Sequence, residues 1–302
     1  MPKLLFVGAG NIAQSIMKGI IKAQPSAASQ ILAIAPTTRN LNIIKESLGC
    51  KISLLSNFRT TLSEFSPDFV FLCVKPQVLL SSISKRDTLI QLLNSVPHKC
   101  IIMSLLAGIK SQTLASSFNQ PERNIVRLMV NTAAELCSTS VFYHSHADID
   151  ANSLAKINEL FQLIGKPVVK MTDESLMDVA TGVCGSGIAL FYEAIQAISD
   201  IGVKNGLTRH EATQVAAQLS KSAGEMLLAK QAHPYQLRDQ VSSPAGTTIY
   251  GLHRWHELSI NQHIGQAVQA SIDRAKDLST ASESKFDDQM PGFYQSLESK
   301  PA

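Results

Sequence analysis

Leu4-Leu5-Phe6-Val7-Gly8-Ala9-Gly10-Asn11-Ile12-Ala13 is the stretch that decides the fold. Its four leading apolar residues read as a short buried strand. Ile12, Ile16, Met17 and Ile20 then recur at helical spacing and mark one face of a following helix. Between the two lies a Gly8-x-Gly10-x-x-Ala13 pattern. Gly8 permits a tight turn, Gly10 lets a diphosphate approach the backbone, and Ala13 allows the helix to pack closely on the strand. The helix N-terminus offers its unpaired N–H groups to phosphate oxygens. An ordinary strand–helix turn can carry the same small residues; the strand–turn–helix context favours dinucleotide binding.

Outward from this turn the pattern repeats. Ile31 to Ala35 reads as a second strand, and it runs into Pro36-Thr37-Thr38-Arg39-Asn40. A site for NAD usually places Asp or Glu at this point, on the ribose 2′-hydroxyl. Here there is an arginine and no acid, which points to the 2′-phosphate of NADP. A third short strand, Ile52 to Leu55, precedes Asn57. Phe69 to Val74 is continuously apolar, as expected of a parallel strand buried on both faces, and ends in Lys75-Pro76-Gln77. Further strands are read in 99–108, 125–130, 139–143 and 167–170. Strands alternating with helices predict an α/β class with a mainly parallel sheet. His144 and His146 have no third ligand nearby and read as a polar loop, so no metal is expected.

From Glu174 the strand-like runs stop and helical patterns begin. One helix opens at Gly185-Ser186-Gly187 and runs to about Gly202. A second starts at Thr208, which with Glu211 forms a capping box, and presents Ala212, Val215, Ala216, Leu219, Ala223, Met226 and Leu227. That apolar face is broad enough to expect neighbouring helices, either from a second chain or within a single-chain bundle. Asp239 to Thr248 collects small residues, a proline and a glycine before the apolar segment Ile249 to Leu252. Such a loop at a helix start presents N–H groups and hydroxyls to an anion, with a carboxylate as the natural guest; a plain capped turn is the alternative. His233, His253, His256 and Trp255 read as packing or surface residues. The segment after Leu278 has few apolar anchors and is expected to be a mobile tail.

Composition bounds the remaining possibilities. With 302 residues, about two domains are expected, and 45% hydrophobic against 17% charged residues is enough for proper cores. A net charge of +3 without a dense basic block argues against a nucleic-acid partner. No signal peptide or membrane-length apolar run is evident. Five scattered cysteines without C-x-x-C spacing suggest reduced thiols and a cytoplasmic location.

The ordered set Gly8-Ala9-Gly10-Asn11-Ile12-Ala13, Val74-Lys75-Pro76-Gln77, Gly185-Ser186-Gly187, Asp200-Ile201-Gly202-Val203 with Gly206-Leu207, and Asp239-Gln240-Val241-Ser242-Ser243-Pro244-Ala245-Gly246-Thr247-Thr248-Ile249 resembles the pyrroline-5-carboxylate reductase family over residues 2 to 276. The closing motif is the most specific part. The resemblance implies a doubly wound Rossmann domain (1–171), an all-α dimerisation and substrate domain (172–276) and a flexible tail (277–302). It also implies reduction of 1-pyrroline-5-carboxylate to L-proline by NADPH, with NADH as a second possibility, in a homodimer or a larger assembly of dimers. Carried over by position, Gly8, Gly10, Asn11 and Ile12 would hold the pyrophosphate. Thr37, Thr38, Arg39 and Asn57 would face the adenosine ribose and its phosphate. Val74, Lys75, Pro76, Ala107 and Gly108 would line the nicotinamide side. Ser243, Gly246, Thr247 and Thr248 would bind the substrate carboxylate, with Thr248, the residue assigned to catalysis, close to the ring nitrogen.

The chain departs from the family pattern in three places. Val130 and Ala133 stand where prolines are usual, Cys184 and Ile188 where serine and proline are usual, and Ala245 where glycine is usual. These departures keep two rivals in view: an imine or β-hydroxyacid reductase with another substrate, and a non-catalytic NADP-binding sensor.

Overall fold

The structure, a computed structural model, describes residues 1–118, 123–145 and 149–289. His146 therefore lies outside the described residues, as do 290–302 of the expected tail. The chain divides into two compact units, Met1–Gly185 with Ile272 onward, and Ser186–Ser271. The boundary falls later than the change in sequence character at Glu174.

The first unit is built on an eight-stranded sheet. In chain order the strands are β1 (Leu4–Val7), β2 (Ile31–Ala35), β3 (Lys51–Leu54), β4 (Phe69–Leu72), β5 (Ile101–Ser104), β6 (Ile125–Met129), β7 (Val141–Ser145) and β8 (Val168–Lys170). Their spatial order is β3-β2-β1-β4-β5-β6-β7-β8. The chain moves outward from β1 to β3, then returns to the other side of β1 for β4. This reversal is the switch point at which doubly wound sheets bind ligands. β1 is wholly buried because helices cover both faces. Leu4 and Phe6 join one apolar core, with Phe6 stacked on Phe71 at 4.5 Å. Leu5 and Val7 join the other. Burying each such side chain contributes roughly 1.5–3 kcal/mol.

Six strands run parallel; β7 is antiparallel to β6. The reason is local. A parallel return needs a crossover of a dozen or more residues, usually a helix. Only a short 3-10 turn, Thr132–Leu136, lies between Met129 and Val141.

Helices of the first unit that position the site are α1 (Asn11–Ala23), α2 (Thr38–Leu48), α3 (Phe58–Phe65), α4 (Pro76–Lys85), α5 (Thr88–Ser95), α6 (Ser111–Ser117), α7 (Ala151–Ile164) and α8 (Leu176–Ala180). A π-helical segment, Thr181–Ser186, follows α8.

The second unit holds α9 (Gly187–Lys204), α10 (Arg209–Lys230), α11 (Pro234–Gln240), α12 (Thr247–Glu257) and the first part of α13 (Ile260–Gln289). Thr208 and Glu211 form the expected capping box at α10. Ala212 and Ala216 are buried, and Ser199 bonds to Thr213 at 3.0 Å. Val215, Leu219 and Met226 are exposed.

The tail expected from residue 277 is, as far as Gln289, a continuation of α13. Large apolar anchors are indeed few there. The buried stripe is made of small residues instead: Ala275, Ser279 and Ser282, at spacings of four and three. Ser279 donates to the buried Asp178 carboxylate at 2.9 Å.

Candidate active site

The cofactor residues expected from sequence gather at the carboxyl ends of β1 to β5. Gly8 leaves β1 with φ +103°, and its N–H donates to Ile34 O on β2 at 2.8 Å. On the other side, Cys73 N–H donates to Val7 O at 2.8 Å, and Leu105 N–H to Leu72 O at 3.1 Å. These bonds set the loops after β1, β2, β4 and β5 side by side around the switch point.

The geometry fits a dinucleotide. Gly10 is the N-cap of α1, and no side chain caps the helix. The N–H groups of Asn11, Ile12 and Ala13 thus lack intrahelical acceptors, the arrangement that suits an anion. A Cβ on Gly10 would meet nothing, whereas one on Gly8 would stand 2.9 Å from the carbonyl carbon and oxygen of Cys73. Gly8 is required by packing and conformation; Gly10 leaves an open approach to the backbone. Thr37 is the N-cap of α2 with no side-chain cap, and Thr38 and Arg39 occupy the exposed first turn. Asn57 closes a 3-10 turn after β3 and is exposed. Lys75 is the N-cap of α4, with Pro76 in its first turn. Burial pushes the thiol of the partly buried Cys73, beside the glycine turn, upward and disfavours its thiolate.

The turn after β5 carries Ala107 and Gly108, the latter at φ +71°. Next to it lies a buried polar network that the sequence reading missed. Arg127 on β6 pairs with Glu174 at 3.3 Å and Asp178 at 3.6 Å. Glu174 Oε1 accepts from the Ser111 N–H at 2.6 Å and from its hydroxyl at 2.9 Å. Burial raises the Glu174 carboxyl, but the Ser111 bonds and the Arg127 guanidinium outweigh it and hold it below the usual range. The signal was there: a single arginine inside the apolar run Ile125-Val126-Arg127-Leu128-Met129 needs buried carboxylates.

After β6, Asn131 ties two segments together. Its Oδ1 accepts from Ala133 N–H at 3.0 Å, and its Nδ2 donates to Cys184 O at 3.1 Å in the π segment. Ala133 thus supplies an N–H that a proline would lack, and Asn131 uses it as a cap.

The residues expected from sequence to bind substrate lie in the second unit. Gly246 N–H donates to Ser243 O at 3.1 Å, closing a turn with Pro244 and Ala245 at its corners. Gly246 is the N-cap of α12, again without a side-chain cap. Thr247, Thr248 and Ile249 therefore bring unpaired N–H groups to the helix start. A cleft of about 430 Å³ in this unit is lined by Arg238, Asp239, Ser242, Ile249, Tyr250, Leu252, His253 and His256. It does not include Ser243, Gly246, Thr247 or Thr248. His233 caps α11 by accepting from Tyr235 N–H, and Trp255 donates to Asn261, so neither is placed for chemistry.

Ala245 has φ +56°. Proline at the second corner and positive φ at the third is the type II pattern, which favours glycine. A non-glycine residue there costs about 1–2 kcal/mol. Ala245→Gly should raise stability by about 0.5–1 kcal/mol after the added chain entropy of glycine is offset. A urea-denaturation midpoint that does not rise would show the turn to be unstrained.

Among the described residues no cluster of histidine, cysteine or acidic groups could hold a metal ion, and no helix is long and apolar enough to cross a membrane. A glycine turn on a bare helix N-terminus at the switch point, in a chain that also carries an all-helical second unit, defines a dinucleotide-dependent oxidoreductase.

Comparison with known proteins agrees. Residues 3–102 match the family model described as NADP oxidoreductase, coenzyme F420-dependent. Residues 174–278 match the model described as pyrroline-5-carboxylate reductase dimerisation. Pyrroline-5-carboxylate reductase of Methanosarcina acetivorans is 32% identical over 276 residues, covering 91% of this chain and 97% of that protein. The enzyme of the same name from Arabidopsis thaliana is 31% identical, covering 92% and 95%. The crystal structure of Plasmodium falciparum pyrroline carboxylate reductase with NADP bound superposes with a TM-score of 0.77 at 24% identity, covering 92% of this chain and 98% of that one. This chain belongs to the pyrroline-5-carboxylate reductase family.

Proposed function

We propose that this chain reduces the C=N bond of 1-pyrroline-5-carboxylate to give L-proline, with NADPH as reductant. The observation that carries the reading is that family membership comes with two uncapped helix starts, one at Gly10 for a diphosphate and one at Gly246 for a carboxylate. NADPH, when bound, supplies the hydride for the imine carbon. Gly8, Gly10, Asn11 and Ile12 hold its diphosphate, while Thr37, Thr38, Arg39 and Asn57 hold the adenosine end. Val74, Lys75, Pro76, Ala107 and Gly108 shape the nicotinamide side. The N–H groups of Thr247 and Thr248, with Ser243 and Gly246, bind the substrate carboxylate, and the Thr248 hydroxyl orients the ring nitrogen. A substrate that enters as the iminium brings its own proton. The residues then have to position and desolvate rather than act as acid or base, which fits the lack of a histidine or carboxylate in the set.

Homodimerisation through the second unit is part of this reading. Phe191 is 66% exposed and Leu228 and Tyr250 are 73% exposed, so large apolar side chains remain uncovered within one chain. A cytoplasmic location is supported by five free cysteines.

The test is turnover of pyrroline-5-carboxylate by purified protein with each cofactor, proline being quantified. NADPH is expected to be preferred. Arg39→Glu should lower kcat/KM for NADPH about tenfold or more through the lost charge-assisted bonds to the 2′-phosphate, and change NADH little. Absence of proline with either cofactor would sink the reading; an equal loss for both cofactors would remove Arg39 from the phosphate site.

A further inference from the structure

The family match ends at residue 278, yet α13 continues to Gln289. What the continuation does is visible in its contacts. A Cβ on Gly108 would stand 2.9 Å from the Leu278 Cβ and carbonyl carbon, so the helix backbone lies directly on the turn after β5. Two residues further along that turn, Lys110 Nζ is 2.6 Å from Glu283 Oε1. Ser279 donates to both oxygens of Asp178, at 2.9 and 3.0 Å, with both residues buried.

We propose that residues 278–283 of the last helix are a positioning element for the cofactor turn Leu105–Lys110. The proposal rests on the reading that Ala107 and Gly108 line the nicotinamide side. The contacts form a closed circuit. α13 grips Gly108 and Lys110 directly. Through Ser279 it reaches Asp178, then Arg127, then Glu174, and Glu174 holds Ser111, the residue that follows the turn. The turn's own hydrogen bonds are long, Ile109 N–H to Leu106 O at 3.4 Å and Leu106 N–H to Ser104 Oγ at 3.4 Å. Holding its Gly108–Ser111 side before the cofactor arrives removes part of the ordering cost of binding. The ion pair at Lys110 is partly exposed and adds little to folding stability, so its clearest effect is on where the turn sits.

The experiment compares the full-length protein with Glu283→Lys, Ser279→Ala, the double variant and the conservative Glu283→Gln. NADPH affinity is measured by fluorescence titration, KM and kcat by turnover, and the unfolding midpoint alongside. Glu283→Lys is expected to weaken NADPH binding about threefold. The double variant should weaken it about tenfold, because the Ser279 bond is to a buried charge. Glu283→Gln should retain most of the affinity, and KM for pyrroline-5-carboxylate at saturating NADPH should not move. Ala107→Leu tests the underlying reading separately. If it leaves NADPH binding intact, the turn is not part of the cofactor site and the proposal fails with that assignment. If it weakens binding while the double variant lowers only the unfolding midpoint, α13 is a structural prop and the proposal alone is overturned.

Discussion

Gly8→Ala is expected to weaken NADPH binding roughly 100-fold, with the fold retained. Two effects act together. At φ +103° an L side chain is strained, which costs about 1–3 kcal/mol. The added Cβ also stands 2.9 Å from the Cys73 carbonyl, which is backbone and cannot swing away. The turn must then move, and it is the turn that aims the N–H groups of Asn11, Ile12 and Ala13. Each factor of ten in affinity corresponds to about 1.4 kcal/mol, so the strain and displacement together account for the predicted loss. Circular dichroism should report a native spectrum while NADPH titration reports the loss. Affinity within twofold of the parent would mean that this turn does not hold the diphosphate.

Arg127→Met should cost about 3–5 kcal/mol of folding stability, more than any other single change considered, because it leaves two buried carboxylates without their cation. The dependence on pH identifies the cause. In the parent, Glu174 is held below its ordinary range, so its contribution is full above the unfolded carboxylate range and is lost as pH falls through the folded value. In the variant the guanidinium is gone, and burial, which raises the Glu174 carboxyl, is no longer offset by that charge. The gap in stability between variant and parent should therefore narrow as the pH drops from neutral into the carboxylate range. Adding Glu174→Gln and Asp178→Asn to Arg127→Met should recover much of the loss at neutral pH. A pH-independent gap, measured by denaturant unfolding, would point to lost packing rather than unpaired charge.

Both predictions concern the same unit but differ in how legible they were. Gly8 could be assigned from sequence because its constraint is local: strand, turn and helix are contiguous, and the spacing of three small residues encodes them. Thr208 with Glu211 is legible for the same reason, since both capping partners sit within one turn. Arg127 shows the limit. A charge inside an apolar strand announces that partners exist, but Glu174 and Asp178 are 47 and 51 residues away in the chain, and only the sheet brings them together.

The part of the expected tail that is described, as far as Gln289, is helix for a related reason. Its buried positions are the small residues Ala275, Ser279 and Ser282 rather than large apolar side chains. Small residues carry no apolar signal in sequence; they are buried only when a neighbouring backbone comes near. Ala245 is similar. Its substitution for glycine was visible, but whether it matters depends on its backbone angle, and φ +56° is set by the turn that Gly246 and Ser243 close.

The sequence by itself determined the α/β class, the strands and the glycine turn, because each rests on periodicity or short-range spacing, and its ordered motifs carried the resemblance to the family. Tertiary structure alone decided that β7 runs antiparallel, that Arg127 is neutralised by Glu174 and Asp178, and that the last helix lies on the Gly108 turn. Those features depend on groups far apart in the chain coming within a few ångströms, and such distances are fixed by the packing of the whole unit.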